Sequence, residues 1–373
     1  MLDDTPVLLT PGPLTTSERT RAAATRDHGS WDADFGRLTR DVCDRLLRIV
    51  GDPADAVCVP MQGSGTFSVE AAVRTLVGPG EGILVLANGA YGERLATLAR
   101  MAGRRVEVLR TATDTPPAPA DVAAALDADP GLGVVAVIHC ETTTGLLNPV
   151  ETIADVAHAR GRRVIIDAMS SFAVVDVPLA HPAVDAVVAA SGKGLEALPG
   201  VGFVFLSSHA VETRRGRCDS HSLDLIAQHD YLVAHGRWRF TPPTHVVASL
   251  REALLQYEEE GGREARHARY RANSDALVEG MEALGLRLYL PEELRTPIIH
   301  TFYAPEVADW SFPRFYDAVR ARGFILYPGK LTDEETFRVG CIGAIDADTI
   351  REAVAAVAEA FAELGYAPVP ATA

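Results

Sequence analysis

Val187-Val188-Ala189-Ala190-Ser191-Gly192-Lys193-Gly194 is the stretch that decides how this chain is read. Small apolar residues describe the end of a buried strand, which empties into a Ser-Gly-Lys-Gly loop before the next apolar run, Val201 to Leu206. A lysine between two buried strands is poorly explained as solvent decoration. Upstream, Val164-Ile165-Ile166 ends in Asp167, a carboxylate at the end of a second buried strand, 26 residues before the lysine and so about one crossover away. A strand-end aspartate and a loop lysine are the pair that pyridoxal 5'-phosphate needs. The amine forms a Schiff base, and the carboxylate keeps the pyridine nitrogen protonated so that the ring can act as an electron sink.

Outward from this pair the same grammar repeats. Val57 to Met61, Ile83 to Ala87, Val106 to Leu109, Val134 to His139 and Val184 to Ala189 read as strands, several apolar on both faces. Glu70 to Leu76, Leu95 to Met101 and Ile153 to Arg160 read as the helices between them, an alternation that predicts a doubly wound α/β domain. A helical pattern over Ala248 to Glu260 is expected to bridge to a smaller α+β domain. There Leu286 to Leu290, Pro297 to Tyr303 and Phe324 to Tyr327 are expected strands, and Phe312 to Arg322 and Ile350 to Leu364 expected helices. The resulting division is an N-terminal segment over 1–20, a large domain over 21–258 and a small domain over 259–373.

Bulk properties narrow the function. A length of 373 residues, 47% apolar and 23% charged, is that of an ordinary globular enzyme with more than one core. A net charge of −15 argues against nucleic acid or an anionic membrane as partner. The opening Met1-Leu2-Asp3-Asp4-Thr5-Pro6 has neither the basic start nor the apolar core of a secretory signal, and no apolar run approaches the roughly 20 residues of a membrane span. Five scattered cysteines without a C-x-x-C pair read as reduced packing residues of a cytoplasmic protein, with no metal site.

Other strand ends carry further candidates. Gly63-Ser64-Gly65-Thr66 opens the Glu70 helix; it is either a plain turn or a cradle in which free N–H groups and hydroxyls meet a phosphate. Tyr91, in Asn88-Gly89-Ala90-Tyr91-Gly92, either packs in a turn or lies on a flat ring. Thr142, in His139-Cys140-Glu141-Thr142-Thr143-Thr144-Gly145, is placed to bond a ring substituent. Arg338 stands alone in the apolar run Phe337 to Gly340, where a buried guanidinium needs either a structural carboxylate or a substrate anion. Leu9 to Thr16, with Thr15 among its hydroxyls, reads as a pinned segment that helps close a pocket. Trp238 to Thr244 reads as a stiff loop suited to a subunit interface.

The motifs LLTPGPLTTS (8–17), SWDADF (30–35), QGSGTFSVEA (62–71), NGAYG (88–92), HCETTTGLLNP (139–149), DAMSSF (167–172), SGKGLEALPGVGF (191–203), WRFTPPTH (238–245), LYPGKLT (326–332) and FRVGCIG (337–343) occur in order along nearly the whole chain. The chain resembles the 2-aminoethylphosphonate–pyruvate transaminases, fold-type I pyridoxal phosphate enzymes related to the alanine–glyoxylate aminotransferases. The resemblance implies a large domain with a mostly parallel seven-stranded sheet and a homodimer with shared active sites. It implies Lys193 as Schiff-base lysine, Asp167 as partner of the ring nitrogen, and Ser64, Gly65 and Thr66 on the phosphate. It further implies Tyr91 stacked on the ring, Thr142 near the ring oxygen, Thr241 reaching a phosphate of the neighbouring subunit, and Arg338 on the substrate anion. The small-molecule substrates would be 2-aminoethylphosphonate and pyruvate; alanine–glyoxylate or serine–pyruvate transamination is the alternative. One departure is Gly192, where the alanine–glyoxylate relatives carry an amide side chain before the lysine.

Overall fold

The computed structural model describes residues 5–366 apart from 308, 330, 331 and 333. The opening residues 1–4, and Lys330 and Leu331 of the LYPGKLT motif, lie outside the described residues. In chain order the strands are β1 (Val7–Leu8), β2 (Ala56–Gln62), β3 (Gly82–Ala87), β4 (Arg105–Arg110), β5 (Leu132–Ile138), β6 (Cys140–Glu141), β7 (Leu146–Leu147), β8 (Arg163–Asp167), β9 (Val184–Ala190), β10 (Val201–Ser207), β11 (Ile299–Tyr303), β12 (Phe324–Ile325), β13 (Tyr327–Pro328) and β14 (Thr336–Gly340). Seven of them form the main sheet in the order β2-β10-β9-β8-β5-β3-β4. All run parallel except β10, which is antiparallel to both β9 and β2. The mostly parallel α/β sheet is the one expected.

Two-residue alternation explains why the central strands look apolar throughout. Leu84, Leu86, Val135, Val137, Ile166 and Val187 face one cluster, shared with the helices Ala33–Ile49 and Thr244–Glu260. Their neighbours Ile83, Val85, Val134, Ala136, Ile165 and Val188 face the other, shared with the helices Gly65–Leu76 and Ala90–Met101. Each fully buried Val, Leu or Ile contributes about 1.5–3 kcal/mol, so either face alone would leave a large apolar surface wet. Parallel strands of this kind deliver their following loops to a single edge. There the ends of β2, β3, β5, β8 and β9 present Gly63, Asn88, His139, Asp167 and Ser191.

A second core gathers Phe302, Phe315, Phe337 and Phe361 between the antiparallel sheet β11-β14-β13 and the helices Phe312–Arg320 and Ala347–Leu364. Several elements here differ from expectation. Leu286 to Leu290 is irregular, confined between Gly285 at φ +79° and Pro291, and its backbone pairing with the small sheet is a bridge from Leu288 to Phe302. Phe324 to Tyr327 is broken, because Leu326 turns into the core: β12 pairs in parallel with β1, whereas β13 pairs antiparallel with β14. The helix Thr244–Glu260 does not bridge; Val247, Leu250 and Leu254 bury it in the main core. The next helix, Gly262–Ala283, makes the crossing and buries Leu277 and Met281 in the second core.

The opening segment is tied down along its length. Besides the β1–β12 pairing, Gly340 N–H donates to Leu9 O at 2.9 Å and Ala344 N–H to Thr15 O at 2.8 Å. All five cysteines are free thiols. Among the described residues no helix is long and apolar enough to cross a membrane.

Candidate active site

The strand ends of the main sheet enclose a cavity of about 290 Å³. Its floor at one end is the start of the helix Gly65–Leu76. Gly63, at φ +113°, turns the chain out of β2, and Ser64 takes the N-cap position in an extended conformation. Its hydroxyl makes no capping bond, so it and the first-turn N–H groups face the cavity at the positive end of the helix dipole. Gly65 leaves space that Met169 fills: a β-carbon there would lie 2.3 Å from Met169 Sδ and would push that side chain aside. Thr66 Oγ1 accepts a hydrogen bond from Arg94 at 3.3 Å, and the same guanidinium lies 4.8 Å from the centre of the Tyr91 ring. Ser64, Gly65, Thr66 and Tyr91 all line the cavity.

Asp167 and Lys193 also line it. Burial raises the Asp167 carboxyl to about 6, opposed by the Met169 N–H that donates to Oδ1 at 2.9 Å and by the charge of Lys193. Burial likewise draws the Lys193 amine below its usual value, against Tyr91 and Asp167, which favour its charged form. The lysine stem runs beside Gly12, where a β-carbon would stand 2.9 Å from both Cδ and Cε. Gly12 also has φ +126°, so geometry and sterics both demand glycine there. Gly192 is more tightly placed than most residues: a β-carbon would meet three Pro199 atoms at 3.1–3.2 Å, so any side chain there needs Pro199 to give by a few tenths of an ångström.

Thr142 is buried and lines the cavity, and its carbonyl accepts from Arg338 at 2.7 Å. A second Arg338 bond runs from Nε to Pro328 O at 2.9 Å, and the guanidinium also hydrogen-bonds the Tyr91 side chain. The guanidinium is buried, and among the described residues no carboxylate pairs with it. Burial holds its pKa below the usual arginine value. Its direct acceptors are thus neutral among the described residues, and the buried Glu141 carboxylate is the nearby negative charge that favours its charged form.

Three predicted residues, Thr15, Thr241 and Arg338, are not among those that line the cavity; Arg338 touches the lining through the Thr142 carbonyl. The Thr15 hydroxyl accepts from Leu8 N–H at 2.8 Å and so pins the opening segment; Gly12 and Pro13 are the residues of that segment that reach the cavity. Thr241 is exposed and does not line the cavity of its own chain. Sequence reasoning also missed Glu141 and His139. The buried Glu141 carboxylate accepts from the N–H groups of Tyr91 (3.1 Å), Gly92 (3.2 Å) and Thr143 (3.1 Å), and thereby caps the helix that carries Tyr91. Burial raises its pKa. His139 Nδ1 lies 2.9 Å from Ser171 Oγ, and burial lowers its pKa to about 4, so it stays neutral. Glu141 lies three residues beyond the end of β5, and that nearness to a strand end was the available signal.

One end of the cavity therefore offers unused donors at a helix start, the middle a buried carboxylate, and the wall a buried amine. The uncapped Ser64 hydroxyl at the helix start, the buried Asp167 carboxyl and the buried Lys193 amine on one cavity fit a phosphate-bearing pyridine with an aldehyde.

The profile of the family "Aminotransferase class-V" matches residues 16–312. The chain is 55% identical over 359 residues to a 2-aminoethylphosphonate–pyruvate transaminase of Pseudomonas aeruginosa, covering 96% of this chain and 97% of that one. It is 54% identical to a protein of the same name from Pseudomonas putida, covering 97% and 99%. Among solved structures, a subgroup IV aspartate aminotransferase from Thermus thermophilus superposes with a TM-score of 0.85 at 28% identity, covering 96% and 99% of the two chains. The chain belongs to the class-V aminotransferases, and its cofactor is pyridoxal 5'-phosphate.

Proposed function

We propose that this chain transfers the amino group of 2-aminoethylphosphonate to pyruvate, giving phosphonoacetaldehyde and L-alanine. The observation that carries this reading is the 55% identity over 96% of the chain to a transaminase named for that reaction. When bound, pyridoxal phosphate supplies an aldehyde to take the amino group and a conjugated ring to delocalise the electrons left on the substrate carbon. Lys193 would hold the cofactor and then move a proton at Nζ. Its burial-depressed pKa favours the neutral amine that a base requires. Asp167 would keep the ring nitrogen protonated, Tyr91 would cover one ring face, and the Thr142 hydroxyl would bond the ring edge. Ser64, Gly65 and Thr66 would hold the phosphate on the helix start. Arg338 would bind the phosphonate of the donor and the carboxylate of the acceptor, because its fork is not directly paired with any described carboxylate.

In this reading the working unit is a homodimer and Thr241 of the partner subunit completes the phosphate site. Support comes from the exposure of Thr241 and of the nearby aromatics: Trp31, under the Arg237 guanidinium at 3.4 Å, and Phe240. The large unit would extend over 21–258 and the small one over 259–373, and five free thiols fit a cytoplasmic setting. The test is a panel of amino donors with pyruvate, scored for alanine, beside alanine with glyoxylate. We expect 2-aminoethylphosphonate to be the best donor; a preference for alanine with glyoxylate overturns the assignment. Borohydride reduction of the yellow protein should fix the cofactor to the peptide of Lys193, and Lys193→Ala should lose turnover by several orders of magnitude.

A further inference from the structure

Three residues beyond the lysine, the chain places a glutamate where its backbone calls for glycine. Glu196 has φ +59°, a left-handed conformation uncommon for a side chain of this size. Its N–H donates to Lys193 O at 2.8 Å, so residues 193–196 form one tight turn with the lysine at its start. Nearby Gly192 and Gly194 are glycines because side chains there would meet Pro199 and the Phe172 carbonyl. At 196 the chain accepts the strained geometry and keeps the side chain.

That side chain is buried and held through one oxygen. Its Oε1 accepts from Arg269 at 2.7 Å and from the Tyr270 hydroxyl, with Arg266 at 3.6 Å. Arg266 reaches back to Gly194 O, on the other side of the same turn. Glu260 balances the second positive charge through Arg266 (2.7 Å) and Arg269 (2.8 Å). The network then leaves the lysine loop. Arg269 donates to Gly343 O at 2.7 Å and Ile345 O at 2.8 Å, and Gly343 N–H donates to the Tyr270 hydroxyl at 3.2 Å. Gly343 lies five residues beyond Arg338. One carboxylate thus ties the turn that holds the amine to the segment that continues from the buried guanidinium.

We propose that Glu196 is a positioning residue: its side chain, through Arg269 and Tyr270, fixes Lys193 in register with the Arg338 strand. This rests on the transaminase reading, in which the amine and the anion site serve one substrate. Loss of the register displaces the amine from the reacting carbon while the sheet still holds Arg338. Chemistry therefore suffers more than binding.

The test compares holoenzymes of wild type, Glu196→Gln and Glu196→Gly. Glu196→Gln keeps the shape and removes the charge, whereas Glu196→Gly relaxes the backbone and removes the side chain. For both, kcat should fall by about tenfold or more with KM held within about threefold. Without substrate, the pH midpoint of the visible absorbance of the lysine-bound cofactor should move by about half a unit or more, a change that a merely structural tie would not cause. Should either glutamate variant fail to fold, Tyr270→Phe keeps every charge, removes one donor and should show the same pattern in smaller measure. Wild-type kcat and absorbance midpoint in the folded variants, with only the melting temperature lowered, overturn the proposal. A wild type that binds the cofactor but forms no alanine from any donor defeats the transaminase reading instead.

Discussion

Asp167 is a carboxyl held largely away from water, and the apoprotein bears the consequence. Its carboxyl is raised to about 6 by burial, so the native state binds a proton more tightly than the unfolded chain does. The associated stability is fully present below the unfolded value near 4 and is lost as pH rises towards 6. Apo Asp167→Asn lacks this titration. Its stability relative to wild type should therefore improve on going from about pH 4 to pH 7, by roughly 3 kcal/mol over the whole window, as read by denaturant unfolding at each pH. A gap that stays constant with pH contradicts the assignment. In the holoenzyme the same variant should retain cofactor yet turn over very slowly, because nothing then holds the ring nitrogen protonated. Arg338 gives the complementary case. Arg338→Ala should lower transamination efficiency with both substrates by roughly 2–5 kcal/mol, and Arg338→Lys should recover only part of it, since a point charge lacks the fork. Lys193 and Asp167 were legible in the sequence because strand ends announce themselves by the stop of an apolar run. The acceptors of Arg338 were not, because the carbonyls of Thr142 and Pro328 belong to distant segments and backbone carries no sequence signal.

Elements show the same divide. The central strands were readable because both faces are buried and nearly every residue is apolar, Arg163, Asp167 and Asp185 apart, whereas β12 and β13 are two-residue pieces defined only by partners in β1 and β14. The helix Ala33–Ile49 was missed although Phe35, Val42 and Leu46 mark its buried face, since charged residues surround them. Gly262–Ala283 was missed for a stronger reason: it buries Arg266, Tyr270 and Asn273 along with its few aliphatics. The opening segment is the element most open to test. Gly12→Ala must accept a φ of +126° and a contact 2.9 Å from the lysine stem. Pinned at Leu9 and Thr15, the segment has little room to retreat. We expect folded protein with weakened cofactor retention on dialysis and activity lower by about tenfold or more; unchanged retention would show that the segment yields.

For the whole molecule the decisive measurement is complementation. In the proposed homodimer, a Lys193→Ala chain and a Thr241→Ala chain would each spoil every site of their own dimer. Mixed dimers, formed after mild dissociation, combine both lesions in one site and restore the other. Activity should therefore rise above that of either parent, towards half a wild-type dimer per mixed dimer. A fully active monomer on sizing would exclude the shared site.

The single reversed strand of the main sheet has a bearing on motion. Because β10 runs antiparallel, the chain returns from the lysine loop straight into the sheet, so the loop from Ser191 to Gly200 is gripped by β9 on one side and β10 on the other. Ser191 N–H donates to Val201 O at 2.9 Å, Ala197 N–H to Ser191 O at 3.2 Å and Leu198 N–H to Ser249 Oγ at 3.4 Å. Active-site loops usually open on their own, at a small fraction of the global unfolding free energy. This one is stitched to the most protected part of the molecule. In native-state amide exchange, the Ser191 and Ala197 amides should therefore report the opening of the central strands, trading their protons for deuterium as slowly as Val188 and Val204 do.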